Sequence, residues 1–376
     1  MEVGNIQWGE FMFIDIFTIK NGFYNKKPNP SNGGTIPFIG ATQNNNGVTE
    51  FYTLNDIENN SKTGHGKNEQ LNKKLFRGNC IAVTNNGSVG FAYYQIHDFT
   101  CSHDVNLLYL KKYILSPYIA KFLISTIEMQ RVCFEYARKW RPKRMVKSKI
   151  LLPMDSKGEP DYAFMELYMR HKEQDKVKIF QKYIAERILK VKDFKAVDPL
   201  DKKKWGGFFI DDIFNIKSGK RLTKADMIKG TIPFIGASDS NNGITNFVSN
   251  SNSSLDSNVL GVNYNGSVVE NFYHPYKAIF SDDVKRLSLK QVKGNEFLFL
   301  FIKTIILKQK SKYQYAYKFN ETRMLRQKLL FPIDKNGQID YTYMENYVKK
   351  LEYEKLTNYI EVKKRFNQDQ KDHSFL

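Results

Sequence analysis

The chain contains two copies of one sequence pattern, and this duplication limits its possible folds more than any other feature. The octapeptide GTIPFIGA occurs at residues 34–41 and again at residues 230–237. Each copy opens on a Trp-Gly pair, at Trp8 and Trp205, and closes on a proline-acid turn, LLPMD in the first and LFPID in the second. Because this repeat is far longer than the roughly 20–45 residues of a solenoid unit, we predict a duplicated domain.

The two copies differ in length at one place. Thr35 and Thr231 are 196 positions apart, whereas Gly87 and Gly266 are 179 apart. The first copy therefore carries 17 extra residues, which fall within the polar stretch Tyr52–Asn79. Since this stretch is rich in Gly, Asn and Lys, we predict that the insertion forms a surface loop.

Short apolar runs punctuated by Gly, Pro and Asn dominate the first 110 residues of each copy. Their length and their β-branched and aromatic content are typical of strands, as at residues 36–40, 80–84, 89–94 and 106–110. Pro37 and Pro233 cannot donate to a sheet ladder, so we expect them at an edge or a bulge. A helix is predicted after the strands in each copy, at about residues 117–131 and 295–309.

A longer helix follows each proline-acid turn. Residues 162–194 and 341–366 are rich in Lys and Glu, lack Gly and Pro, and place apolar residues at helical spacing. Their narrow apolar stripes favour pairing of the two helices in a coiled coil, although each helix could instead pack on its own domain. The predicted domains are a first recognition domain (1–158), a central helix (159–197), a second recognition domain (198–337) and a C-terminal helix (338–376).

The charge of the chain points to a polyanionic partner. The 376 residues carry a formal net charge of +19, which attracts phosphate, although a Lys-rich proteome would raise the charge without such a partner. A membrane partner is disfavoured because no apolar run of about 18 residues occurs. The N-terminus lacks signal-peptide features, and Cys80, Cys101 and Cys133 suit neither a disulfide framework nor a zinc site. We therefore expect a cytoplasmic protein.

The motifs of an enzyme are missing from the sequence. Gly66-Lys67 and Gly219-Lys220 lack the Ser or Thr of a phosphate-binding loop, and no GxGxxG follows a predicted strand. The acidic residues 155–161 suit a turn and a helix cap better than a nuclease site. The six histidines are scattered. The sequence therefore predicts no catalytic residue, no metal site and no cofactor on this chain.

Two amide-rich loops in each copy are candidates for reading DNA bases, because Asn and Gln can bond adenine edges and Ser can bond several bases. Tight turns also require Asn and Gly, so backbone geometry is the alternative explanation. Where the copies differ, as at Gln43 and Asp239 or in the insertion, they could read different sequences. The candidates are Gln43, Asn44, Asn45, Asn86 and Ser88 in the first copy and Asp239, Ser240, Asn241, Asn265 and Ser267 in the second.

Basic residues near aromatic ones are candidates for holding phosphates, which would fix register without reading sequence. A solvated basic face is the alternative. The densest group is Arg138, Lys139, Arg141, Lys143 and Arg144, and its counterpart is Lys318, Arg323 and Arg326. Further cations near the start of each copy are Lys20, Lys217, Lys220 and Arg221.

The ordered set of duplicated motifs resembles a known family. WGxF…DIFxIKxG, TIPFIGA, NNG[IV]T and NGSV recur in that order from about Trp8 to Phe366. This set is similar to the specificity subunit of Type I restriction-modification systems and equally to the separate specificity subunit of Type IIB enzymes. The resemblance implies an α+β protein in which two β-rich target-recognition domains are separated by two long helices in an antiparallel coiled coil.

The resemblance also implies partners. Each recognition domain would read one half of a split double-stranded DNA target, and the helices would space the domains and dock methyltransferase subunits, expected to number two. A restriction and translocation subunit, or a nuclease fused to the methyltransferase, would join through them. S-adenosylmethionine, and in some systems ATP and magnesium, would belong to these partners. The competing hypotheses are a self-contained nuclease or methyltransferase and a scaffold or decoy that binds methyltransferase without reading DNA.

The predicted helices also give a length scale. Helices of about 30 residues would be about 45 Å long at 1.5 Å per residue, a little more than one DNA turn of about 34 Å. Because the copies differ in their variable loops, we predict an asymmetric target in two parts, separated by a spacer of roughly five to eight base pairs.

Overall fold

The computed structural model describes residues 6–64, 69–134, 138–313 and 317–372, and side chains up to residue 363. The chain forms two compact units, unit 1 (Met1–Phe180) and unit 2 (Gln181–Leu376). The division between the units falls inside the central long helix, which the predicted organisation treats as a segment of its own.

Unit 1 contains nine strands and five helices in its described residues, the last helix continuing into unit 2. The strands are β1 (Trp8–Met12), β2 (Phe17–Asn21), β3 (Ile36–Ile39), β4 (Val48–Tyr52), β5 (Cys80–Thr84), β6 (Ala92–Gln95), β7 (Thr100–Cys101), β8 (Val105–Leu110) and β9 (Lys149–Pro153). The helices are α1 (Phe13–Ile16), α2 (Leu54–Asn59), α3 (Pro117–Met129), α4 (Pro142–Met145) and α5 (Tyr162–Val191).

The strands of unit 1 form three sheets around two apolar clusters. The sheets have the orders β1-β9, β2-β8-β5-β6 and β4-β3-β7, and only the β3–β7 pairing is parallel. One cluster joins strand residues such as Ile81 and Leu108 to Leu123 of α3. The other joins Phe38 of β3 to Leu107 of β8. Each face of the four-stranded sheet is thus covered by apolar packing, which holds its loops in place.

Unit 2 repeats this arrangement. Its strands are β10 (Trp205–Phe209), β11 (Phe214–Ser218), β12 (Lys229–Ile235), β13 (Ile244–Val248), β14 (Val259–Asn263), β15 (Asn271–His274), β16 (Ile279–Phe280), β17 (Val284–Leu289) and β18 (Lys328–Pro332). Its helices are α6 (Ile210–Ile213), α7 (Glu296–Leu307), α8 (Glu321–Leu325) and α9 (Tyr341–Asp372). The sheet orders β10-β18, β11-β17-β14-β15 and β13-β12-β16 match those of unit 1 strand for strand, so the predicted duplication is confirmed.

The helices α3 and α7 show how local sequence sets the element boundaries. Ser116 caps α3 by accepting a hydrogen bond from the Ile119 N–H at 3.2 Å, and Pro117 occupies the first turn, where its missing N–H costs nothing. Asn295 caps α7 in the same way, through the Leu298 N–H at 3.0 Å. The predicted helices at about 117–131 and 295–309 are confirmed to within two residues at each end.

Pro37 shows how a proline is tolerated in the middle strand of a three-stranded sheet. It pairs with Phe51 of β4 on one side, whereas pairing to β7 begins only at Phe38. A register shift between Phe38 and Ile39 follows directly. Pro233 has the same surroundings in β12. Both prolines thus lie in a middle strand rather than at an edge, one residue before a register shift and outside the pairing to the third strand, where their missing N–H is tolerated.

The insertion in unit 1 differs from the prediction of a surface loop. Its described residues include α2, which begins with a capping box between Thr53 and Asp56. Ile57 is fully buried and belongs to the second apolar cluster. Lys74 is also buried, and its ammonium donates to the carbonyls of Ile57 and Glu58 at 3.1 and 2.7 Å. The prediction was wrong because composition does not show that a few apolar residues and backbone carbonyls can anchor a polar segment.

The long helices lie where the sequence predicted them. α5 has 30 residues and α9 has 32. Tyr162 and Met165 of α5 are buried in unit 1. Within unit 2, the end of α5 and the segment after it run antiparallel to α9, because Arg187 bonds Glu352 (Nη2 to Oε2, 2.8 Å) and the Lys195 N–H donates to Asn346 (2.9 Å). None of the described helices is long and apolar enough to cross a membrane.

Candidate nucleic-acid interface

The first loop of the candidate site, which we term the amide loop, spans residues 41–47 in unit 1 and 237–243 in unit 2. Residues 45–47 have φ angles of 51°, 52° and 79°, and residues 241–243 have 50°, 54° and 74°. Asn and Gly tolerate this left-handed conformation far better than other residues. The backbone therefore accounts for Asn45 and Asn241, which favours the turn interpretation for these two candidates.

Side-chain hydrogen bonds fix the amide loop on the neighbouring strand. In unit 1 the Asn46 amide donates to the carbonyl of Tyr94 at 3.1 Å, and Gln95 donates to the Asn46 carbonyl at 3.0 Å. The Tyr93 hydroxyl donates to the Thr42 carbonyl at 2.7 Å. These bonds give the loop a defined shape, which a surface that reads bases requires.

The copies differ at the exposed start of the amide loop. Gln43 and Asn44 occupy it in unit 1, and Asp239 and Ser240 occupy it in unit 2. Ser240 lies 3.0 Å from the Ser238 hydroxyl. The side chains of Gln43 and Asp239 are exposed and make no hydrogen bond or ion pair with any residue that the structure describes. The same backbone thus presents two different chemistries to solvent.

The second loop, which we term the Asn-Gly loop, follows β5 at residues 85–91 in unit 1 and β14 at residues 264–270 in unit 2. The Asn86 amide donates to Asp104 at 3.0 Å, and the Asn265 amide donates to Asp283 at 2.8 Å. The Oδ1 atom of each asparagine is buried and unpaired among the described residues. The structure therefore turns both asparagines inward, which favours a structural role for them.

The two loops lie side by side within each unit. The Ser267 N–H donates to the carbonyl of Ala237 at 3.3 Å. Gly266, with φ at 62°, is so close that a Cβ there would lie 2.7 Å from the same carbonyl. Ser88 stands at the matching position in unit 1, where its carbonyl accepts from the Thr84 hydroxyl. Ser88 and Ser267 are partly exposed beside the amide loop.

The basic segment of unit 1, residues 138–144, packs beside the Asn-Gly loop. The Trp140 N–H donates to the Asn85 carbonyl at 3.2 Å, and Trp140 itself is fully buried. This anchor leaves the flanking cations at the surface around an open cavity of about 540 Å³. The cavity is lined by Asn21, Lys139, Arg141, Pro142, Lys143 and Arg144.

Single contacts orient other cations of unit 1. The Arg144 guanidinium donates to the Lys139 carbonyl at 2.8 Å. Arg138 lies 5.7 Å from the ring centre of Phe134, and the ammonium of Lys20 lies 5.0 Å from that of Tyr109. Lys20 is also adjacent to Asn21 on β2. The structure thus brings the predicted loops and the basic segment of unit 1 onto one surface.

The corresponding segment of unit 2 has the same internal bond but a different setting. The Arg323 guanidinium donates to the Lys318 carbonyl at 2.7 Å and stacks 3.8 Å from the ring centre of Tyr317. Arg326 is exposed next to it. Lys285 links the segment to the Asn-Gly loop, because its ammonium pairs with Glu321 at 2.5 Å and lies over the Tyr264 ring.

Two of the three remaining candidate cations of unit 2, Lys217 and Arg221, lie near carboxylates. Lys217 and Lys290 share an open cavity of about 520 Å³ with Asp211 and Glu321. Lys220 is exposed just after β11, and the exposed Arg221 lies 3.7 Å from Asp282. Unit 2 therefore presents a more mixed charge than unit 1 at the same surface.

Several residues that could take part in catalysis instead cap helices or are buried. Asp161 and Asp340 cap α5 and α9 by accepting the Phe164 and Tyr343 N–H groups at 2.8 Å, which confirms the capping interpretation of the acidic turn. Burial raises the pKa of the Cys80 thiol to about 12. Across the described residues, no cluster of three or more His, Cys, Asp or Glu side chains could hold a metal ion.

Three residues that shape the site, Asn21, Asp104 and Asp283, were not among the predicted site residues. Asn21 lines the cationic cavity, and its position directly after Lys20 was the available signal. Asp104 and Asp283 hold the Asn-Gly loops, and their recurrence at the same place in both copies marked them. Asn21 reaches the cavity from β2, and the aspartates reach the Asn-Gly loops from the turns before β8 and β17, so these contacts form only in the folded domain.

Fold and surface together define a duplicated α+β binding protein with matching loop surfaces on its two units. The family of the type I restriction modification DNA specificity domain matches residues 5–184 and again residues 202–364. The chain belongs to this family and contains two copies of its domain.

Similar proteins agree with this assignment. The BcgI specificity subunit of a type II restriction enzyme from Heyndrickxia coagulans is 40% identical over 350 residues, covering 92% of this chain and 95% of that protein. The crystal structure of the S subunit of a Type-I restriction-modification system from M. genitalium has a TM-score of 0.52 at 17% identity, covering 99% of this chain and 96% of that chain. The latter supports the fold alone.

Proposed function

We propose that this specificity subunit is the non-catalytic DNA-reading part of a restriction-modification complex, and that each unit reads one half of an asymmetric, two-part target. One observation carries the proposal. The two units present amide loops with nearly identical backbone angles but different exposed side chains, Gln43 and Asn44 against Asp239 and Ser240. Two loops with the same backbone and different exposed side chains suit two related domains that read two different sequences.

The chemistry of these exposed side chains predicts different base contacts. Gln43 both donates and accepts, so it can make a bidentate bond to the N6 and N7 atoms of adenine. Asp239 only accepts, so it requires an exocyclic amino group, such as N4 of cytosine, in the major groove. Asn45 and Asn241 are the same residue in the same conformation and do not distinguish the half-sites.

The cations beside the loops would hold the phosphate backbone. In unit 1 the cavity formed by Asn21 and the basic segment presents four cationic side chains within one open space. Such contacts fix the register of a domain on the duplex and make binding depend on salt. The chain carries a net charge of +19, so binding to any DNA should weaken steeply as salt rises.

Catalysis would reside in partner subunits. We propose that two methyltransferase subunits dock on this chain, with a nuclease either fused to them or supplied by a restriction and translocation subunit. S-adenosylmethionine, and ATP with magnesium where needed, would bind to those partners in the cytoplasm. Asp161 and Asp340 cap helices, and Cys80 and Cys101 are buried, which agrees with a chain that does no chemistry itself.

The long helices would act as a ruler between the half-sites. Shortening both by one heptad removes about 10 Å, or about three base pairs of DNA. We expect the methylated motif to keep both half-sites and lose about three base pairs of its spacer. Sequencing of methylated DNA from a host that carries the altered complex measures this change, and an unchanged spacer would contradict the ruler.

A binding experiment separates the proposal from its alternatives. The purified chain, alone and with its methyltransferase partner, is tested for binding of S-adenosylmethionine, for DNA cleavage and for binding of labelled target DNA. The proposal expects specific DNA binding in the complex and no chemistry from the chain alone. Cleavage or methylation by the chain alone would support a self-contained enzyme, and a complex that ignores the target would support a decoy.

A further inference from the structure

One exposed aromatic residue recurs at the same place in both units. Phe51 of β4 and Phe247 of β13 are each 50% exposed. Among the described residues, neither ring belongs to an apolar cluster or contacts another aromatic ring or a cation. A single exposed aromatic residue needs no explanation. Two of them at one position of a duplicated domain indicate a role that both units share.

The other residue that the two strands share has a structural role. β4 has the sequence VTEFY and β13 has ITNFV, so only the threonine and the phenylalanine are identical. The hydroxyls of Thr49 and Thr245 donate to the carbonyls of Phe38 and Phe234 at 3.4 and 3.3 Å. The phenylalanine rings have no comparable contact in the part of the chain that the structure describes, so packing of the domain does not account for them.

The shared phenylalanine lies on the same surface as the amide loop. In unit 1, β3 and β4 form an antiparallel hairpin that the amide loop connects, and β12 and β13 form the equivalent hairpin in unit 2. An open cavity of about 500 Å³ is lined by Asn45 of the loop together with Thr49 and Phe51. The major groove of DNA admits a two-stranded β-ribbon. Each hairpin can therefore present its loop and its phenylalanine to one groove.

The surroundings of the rings favour DNA over an added protein strand as the occupant. β4 and β13 are edge strands. However, the N–H groups of Phe51 and Phe247 already donate to the side chains of Glu50 and Asn246, at 3.2 and 2.8 Å. These N–H groups are therefore not available to pair with another strand. Beside Phe51, the ammonium of Lys27 lies 3.8 Å from the Glu50 carboxylate and offsets its charge toward DNA.

We propose that Phe51 and Phe247 each contact the 5-methyl group of a thymine in the major groove, one in each half-site. This methyl group is the apolar feature that thymine presents there, and phenylalanine is suited to contact it. The inference rests on the proposed function and extends it. Gln43 and Asp239 distinguish the two half-sites, whereas the shared phenylalanine selects the same base pair in both.

Target duplexes that carry deoxyuridine in place of a single thymine test this contact, because deoxyuridine lacks only the methyl group. Once the target has been mapped, the full chain in complex with its methyltransferase partner is titrated with each duplex. We expect one thymine in each half-site whose replacement weakens binding about fourfold, as the loss of one buried methyl group predicts. Phe51→Ala should abolish this effect in one half-site, and Phe247→Ala should abolish it in the other.

A matched control removes an exposed apolar side chain elsewhere. Ile114, in the segment between β8 and α3, is 80% exposed, and Ile114→Ala should bind every duplex as the unaltered chain does. Thermal unfolding of all three variants should stay within a few degrees of the unaltered chain, since none of these side chains belongs to an apolar cluster.

Two results would overturn the inference and leave the proposed function intact. One is a target in which no thymine replacement weakens binding. The other is a sensitive thymine whose effect persists in both Phe51→Ala and Phe247→Ala. If the unaltered complex binds no target duplex at all, the proposed function fails together with the inference.

Discussion

Strands β8 and β17, which are inner strands of the two four-stranded sheets, have equivalent neighbours, but their buried residues differ in charge. In β8 of unit 1, Asn106 and Leu107 are fully buried and uncharged. At the same positions in β17 of unit 2, Lys285 and Arg286 are 8% and 6% exposed. Both strands pair with equivalent neighbours on each side. One backbone thus accommodates a neutral interior and a charged one.

Most polar groups inside each unit find partners, although the Nε atom of Arg286 is buried without one among the described residues. In unit 1, Asn106 accepts from the Asn85 amide at 2.7 Å and donates to the Trp140 carbonyl at 2.9 Å. In unit 2, Arg286 bonds Asp256 at 2.9 Å and the Ser218 carbonyl at 2.7 Å. The two units therefore share one backbone framework, whereas their buried polar networks differ as whole groups of interacting residues.

The largest expected effect comes from breaking the charged interior. Asp256→Ala would leave the buried Arg286 guanidinium without its carboxylate, which we expect to destabilise the chain by about 3 kcal/mol. Asp239→Ala, at an exposed position of the same unit, should cost less than about 0.5 kcal/mol. Urea unfolding of both variants measures the difference. A loss below about 1 kcal/mol for Asp256→Ala would show that the charged network is not a coupled set.

The second prediction uses a histidine that only unit 2 contains. His274 occupies the position of Gln95, and burial, with a smaller contribution from Lys303, lowers its pKa to about 4. Because the folded-state pKa lies below the unfolded value of about 6.5, His274 favours folding above that pH, and this contribution is lost as the pH falls toward 4. Between pH 7 and pH 5 the loss should be about 2 kcal/mol.

His274→Gln installs the residue of unit 1 and should remove this part of the pH dependence. Urea unfolding at pH 7 and pH 5 for the two proteins checks it. Equal losses of stability in both proteins would show that His274 does not remain neutral in the folded chain, and that the units do not differ in this respect.

The smallest effect is expected in the neutral interior of unit 1. Asn106→Leu removes the bond to the Trp140 carbonyl and one partner of Asn85, which keeps a second bond to the His103 carbonyl at 3.2 Å. We expect a loss of about 1 kcal/mol. Thermal unfolding provides the measurement. A loss as large as that of Asp256→Ala would remove the distinction between the two interiors.

The framework could be predicted from the sequence because local sequence signals determine it. Repeated motifs predicted the duplication, and apolar residues at helical spacing predicted the long helices. The interior of unit 2 was out of reach because VKRLSL suggests an exposed strand, and only the fold brings Asp256 and Glu321 to its two cations. The buried anchors of the insertion, Ile57 and Lys74, were hidden for the same reason.

For the candidate site as well, some features could be predicted from the sequence and others could not. The loops that the sequence singled out lie near the basic segment of unit 1, because the amide loop lies beside the Asn-Gly loop and Trp140 bonds Asn85. The sequence could not separate readers from turn residues. Gln43 and Asp239 are exposed and form no hydrogen bond or ion pair with a described residue, whereas Asn86 and Asn265 make inward bonds. Conformation and pairing, rather than residue type, make that distinction.

One measurement tests the claim that each unit reads its own half-site. The methylated motif is mapped by sequencing DNA from hosts that carry the complex with the unaltered chain or with Asp239→Asn. The account predicts an asymmetric two-part motif in which the substitution relaxes or changes one base in one half, with the other half and the spacer unchanged. A palindromic motif, or a change that appears in both halves, would contradict it.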